Sequence, residues 1–169
     1  NEFHKQAGRI NFQIYLKSSP RFDMPEEKNG WIYKVVGPSK FWTQFGLPIS
    51  LFTKNPKPDV FFTTSHYAPR FSPIPTVVSV MDLSYLLYPE TFKKRDLHQL
   101  KSWTYYSVKK SSRVITISHS SKNDIIKYYK VPGSRVEVIY PGIKEGIMKK
   151  NLDGRNFQPH AIKGKYILF

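Results

Sequence analysis

Four short apolar, β-branched runs recur along the chain at residues 59–64 (DVFFTT), 75–81 (PTVVSVM), 113–118 (RVITIS) and 136–140 (VEVIY). The run at 59–64 is too continuously apolar for an exposed sheet face, so it is expected to be a buried parallel strand. The runs at 75–81 and 113–118, rich in Val, Ile and Thr, are expected to be strands as well. Between them lies helical material. Leu97, Leu100, Thr104 and Val108 recur at helical spacing, and Ser121-Lys122-Asn123-Asp124 forms a capping-box pattern ahead of Ile125 and Ile126. Pro141-Gly142 stops the last run.

Upstream, residues 10–17 (INFQIYLK) alternate as a half-exposed strand does, and residues 31–36 (WIYKVV) form a second candidate strand. The polar stretch between them, with Pro20 and Pro25, reads as a loop. Residues 39–54 read as a helix capped by Ser39 and bent or split at Pro48. Strands alternating with helices predict an α/β fold with a Rossmann-like, doubly wound, mostly parallel sheet. Ligands of such sheets bind beyond the carboxyl ends of the strands. That rule selects Ser65-His66, Met81-Asp82 and Ser118-His119, each placed where an apolar run turns polar.

Composition narrows the classes. The 169 residues suffice for one domain with a core. With no cysteine there is no disulfide framework, thiolate zinc site or cysteine nucleophile. No apolar run approaches the roughly 18 residues of a membrane-spanning helix, and the first residues do not resemble a signal peptide. The 27 Lys and Arg against 12 Asp and Glu give a net charge of +15. Such a chain attracts nucleic acid, an anionic membrane surface or phosphorylated substrates, unless the charge serves solubility alone.

In order and spacing, several segments resemble the N-terminal domain of family 4 glycosyltransferases. They are Ser39-Lys40-Phe41-Trp42-Thr43-Gln44 with Leu47-Pro48, the run from Lys57 to His66, the run from Pro75 to Ser84, and Tyr88-Pro89-Glu90. Arg113 to Ser118 and Val136 to Gly142 complete the set, and the likeness is strongest from about Pro38 to Gly142. The resemblance implies one half of a two-domain GT-B type enzyme, bacterial and active in glycan biosynthesis. Such an enzyme moves a hexosyl unit from a nucleotide sugar to an acceptor hydroxyl with retention of configuration. Residues 1–142 would be the acceptor-side domain, 143–165 the interdomain linker, and 166–169 the start of a donor-binding domain lying outside this chain. The strand and glycine-rich turn that usually open the family would also be missing, and the fragment would be inactive alone. No cofactor and no metal are expected, since the five histidines are scattered.

Its place at the end of a buried strand makes Asp82 the candidate catalytic group; capping the following turn is the plainer role. His66, Met81, Ser118, His119 and Ser120 are candidates for acceptor contact. Turn closure explains His66 equally well, and helix capping explains Ser118 and Ser120. Met81 stands where many relatives carry histidine, so that position can neither donate a hydrogen bond nor share a proton. Gly142 is placed near the donor, or is a plain hinge. Lys93, Lys94, Arg95, Lys101, Lys109 and Lys110, interleaved with Trp103, suit an anionic membrane surface and a glycan or lipid-linked acceptor; a solvated helix face is the alternative. The expected location is the cytoplasm, with peripheral attachment to the inner face of the cell membrane if that segment binds lipid. A basic nucleic-acid-binding module is the rival, disfavoured because helix-turn-helix, RNP-like and zinc-finger signatures are missing. A non-catalytic partner subunit of a glycosyltransferase is the third reading.

Overall fold

Valine decides where the main sheet forms. In the computed structural model, which describes residues 2–53 and 55–142, Val78, Val114 and Val136 face one another across three neighbouring parallel strands. All three are fully buried. The strands are β3 (Phe61–Thr63), β4 (Thr76–Ser79), β5 (Arg113–Thr116) and β6 (Val136–Val138), paired in that order and all parallel. A second parallel pair, β1 (Phe12–Leu16) and β2 (Trp31–Val35), lies beside β3. There Gln13 Nε2 donates to the Pro56 carbonyl at 3.3 Å, and the Tyr15 ring packs on Phe61. The fold is therefore Rossmann-like α/β with parallel sheets.

Two helices, α4 (Lys94–Lys110) and α5 (His119–Tyr129), carry the chain from β4 to β5 and from β5 to β6. Val108 of α4 and Ile125 and Tyr129 of α5 join Val78, Val80, Leu83, Val114 and Val136 in one core. Burying each such aliphatic side chain contributes about 1.5–3 kcal/mol against the entropy of ordering the chain. A smaller cluster of Leu47, Leu51 and Phe61 secures the segment after β2. Shorter helical pieces are α1 (Glu2–Lys5), α2 (Leu47–Thr53) and α3 (Ser84–Leu87).

Three local expectations are corrected. First, Ser39 does not cap the segment after β2. The cap is Phe41, in left-handed backbone at φ 57° and ψ 29°, and the chain enters a π-helical turn, Trp42–Gly46, that runs straight into α2. Pro48 explains the wide turn: it has no N–H to donate, and its ring collides with a carbonyl four residues back. The Leu47 N–H accordingly reaches the Trp42 carbonyl. Second, α5 begins one turn early. Its cap is Ser118, whose Oγ accepts the Ser121 N–H at 3.1 Å, so Ser121 lies inside the helix. Third, β3 is parallel but stands at the edge of its sheet, with Phe61 buried and Phe62 41% exposed. On that exposed side the Phe62 ring meets Phe3 edge-on at 6.4 Å between centroids. The expected linker at 143–165 and strand at 166–169 lie outside the described residues.

Candidate functional site

Thr63, the last residue of β3, folds the chain back on itself. Its Oγ1 accepts the Ser65 N–H at 3.4 Å and donates to the Tyr67 carbonyl at 3.3 Å. That turn leaves the His66 ring half-buried, edge-on to Tyr85 at 6.3 Å between centroids and close to Asp82. Burial pushes the imidazole below its usual value; the Asp82 carboxylate and backbone pull the other way.

Asp82 follows β4 and is itself exposed. Its Oδ1 takes the Ser84 N–H at 2.8 Å, an Asx turn that opens α3. The Ser84 hydroxyl first, and then the Ser84 N–H and the His66 ring, hold the carboxyl below its ordinary range against the effect of partial burial. A carboxylate faces a neutral imidazole here at neutral pH. Under them, the buried hydroxyls of Tyr85 and Tyr129 bond to each other. Burial is the first cause raising both phenols, so both stay protonated.

The next strand end is tied in from behind. Thr116 Oγ1 at the end of β5 donates to the Met81 carbonyl at 3.4 Å. Met81 is half-buried, whereas His119 and Ser120 are exposed, His119 with its ring 6.4 Å from Tyr140. The Ser118 hydroxyl is engaged in capping α5 and donates to Ser121 Oγ. Among the described residues it makes no hydrogen bond to His66 or Asp82. Gly142 is exposed, with open space where a Cβ would stand. The structure thus brings His66 and Asp82 together and leaves Ser118, His119 and Ser120 on the neighbouring strand end.

The basic, aromatic residues on and beside α4 differ in exposure. Lys93, Lys94, Arg95, Lys101 and Lys110 are exposed. Trp103 turns inward against Tyr67 at 5.3 Å, and Lys109 reaches the Lys130 carbonyl at 3.4 Å. Sequence reasoning missed a cleft of about 620 Å³ beside them, between Phe41, Phe45, Arg70, Phe71, Trp103 and Tyr106. Its one legible signal was the four-residue spacing of Phe41 and Phe45.

A family model settles the kinship of this arrangement: that of Glycosyltransferase Family 4 matches residues 14–145. The chain belongs to that family. The match runs from β1 through all six strands, so it includes the His66 and Asp82 strand ends. No curated protein and no solved structure matches the chain. As a member of a glycosyltransferase family, it carries a transferase domain, and among its described residues no helix is long and apolar enough to cross a membrane.

Proposed function

We propose that this domain supplies the acceptor side of a retaining transfer from a nucleotide sugar to a hydroxyl group. The observation that carries the reading is the pairing of Asp82 with His66 at adjacent carboxyl ends of β4 and β3, where parallel α/β sheets place their ligands. The Asp82 carboxylate, oriented by Ser84, accepts a hydrogen bond from the acceptor hydroxyl and aligns its oxygen. The neutral His66 ring offers a nitrogen to a neighbouring hydroxyl. Met81 has a thioether and takes no part in proton handling. Retention requires the acceptor oxygen to approach the sugar on the face the diphosphate leaves. A second, donor-binding domain would stabilise that diphosphate with helix N-termini and cationic side chains, without a metal or cofactor. The acceptor would be a hexosyl-accepting glycan or a lipid-linked sugar of bacterial glycan biosynthesis, met on the cytoplasmic side of the membrane.

The test is release of nucleoside diphosphate by this domain joined to its donor-binding half, across a panel of nucleotide sugars, with membrane and glycan extracts as acceptors. Acceptor-dependent release with one donor, and a product of unchanged anomeric configuration by NMR, is expected. Release with no donor, or an inverted product, contradicts the reading.

A further inference from the structure

The helical segment after β2 carries its apolar residues on both sides. Gly46, Leu47, Ser50 and Leu51 are buried against the body of the protein. Phe41, Phe45, Ile49 and Phe52, spaced by four, four and three residues, stand outward and are 50–60% exposed. Phe71, 65% exposed, extends the row. It lines the larger cleft with Phe41 and Phe45 and an adjoining cleft of about 350 Å³ with Phe52. Single exposed apolar residues are ordinary; five in one continuous row are not.

Cations border this row. Lys40 Nζ lies 5.7 Å from the centre of the Phe41 ring, the Arg70 guanidinium lies 5.4 Å from that of Tyr106, and Lys110 lines the cleft beside Phe52. Among the described residues, no acid lines either cleft. From Lys28 to Met81 the sequence has one acid, Asp59.

We propose that this face docks on an anionic lipid bilayer, with Phe41, Phe45, Ile49, Phe52 and Phe71 seated at the headgroup boundary and Lys40, Arg70 and Lys110 against lipid phosphates. Aromatic and aliphatic side chains gain from leaving water at that depth, and basic residues gain from the negative surface potential. A second copy of the chain fits less well, because a two-fold contact would bring two cation-bordered faces together with no acid lining either cleft among the described residues. The proposal places the lipid contact on the segment after β2 and the β3–β4 connection instead of the basic start of α4. It stands independently of the roles given to Asp82 and His66.

The test is co-sedimentation of the chain with vesicles of phosphatidylcholine alone and of phosphatidylcholine mixed with phosphatidylglycerol. The chain is expected to pellet with the anionic vesicles and to be released when salt rises from about 0.1 M to about 1 M, as the screening length falls from ~10 to ~3 Å. Phe45→Ser with Phe71→Ser, and separately Lys40→Glu with Lys110→Glu, should each weaken binding about tenfold or more. Lys93→Glu with Lys94→Glu should change it by about twofold or less. Circular dichroism checks that every variant remains folded. Binding that ignores the phenylalanine pair, or depends equally on Lys93 and Lys94, overturns the proposal. So does failure to pellet while the chain binds a DNA duplex, or dimerises, through the same residues.

Discussion

His66 is the residue whose protonation the fold resists. Its ring is half-buried against Tyr85, and burial lowers its pKa below 6.5 despite the nearby Asp82 carboxylate. Between the folded and unfolded values the unfolded chain holds more protons, so stability is full above about 6.5 and falls as pH drops through that window. Urea titrations from pH 7.5 to pH 5 should show this loss in the natural protein and little of it in His66→Asn. Replacing Asp82 by Asn removes the carboxylate that raises the His66 value and should extend the loss to lower pH. An unchanged pH profile in His66→Asn would assign the slope to another group. The two residues could be named from sequence because both follow apolar runs. Their pairing could not, since it depends on the Thr63 turn and on the Tyr85 ring, which lie at other positions of the chain.

At the scale of elements, the strands were readable because β-branched residues occupy the positions that the ladder buries. Each of the four apolar runs contains its observed strand, and the valines that align across the sheet belong to three of those runs. Helix starts were harder. Ser118, Ser120 and Ser121 all offer a capping oxygen, and only the point where β5 ends decides between them. Ser118→Ala should therefore cost about 1 kcal/mol of stability, and more than Ser121→Ala, both read from urea midpoints. The reverse order would place the cap where the sequence motif alone puts it. The segment after β2 is helical as read, but its start lies at Phe41 and not at Ser39, and its two apolar faces divide between the core beneath Leu47 and Leu51 and the outer row of Phe41, Phe45, Ile49 and Phe52.

Across the whole molecule, charge and site are separate features. The net charge of +15 does not converge on the strand ends, where Asp82 is the charged group beside a neutral His66. Cations instead border the aromatic row on Phe41, Phe45 and Phe71. Family membership and the parallel sheet fix the general frame, and the ordered motifs of the sequence were sufficient to anticipate both. Donor, acceptor and linkage belong to recognition surfaces whose residue identities follow no periodic rule, so sequence pattern carries little about them. The decisive measurement is the turnover of Asp82→Asn in the diphosphate-release assay, because asparagine can still accept the Ser84 N–H and keep the turn. A fall in kcat of about 100-fold or more, with KM little changed and an unaltered melting curve, is the expected result for a group that aligns and polarises the acceptor hydroxyl. Turnover within about twofold of the natural protein would contradict it, leaving Asp82 with its turn to Ser84 alone.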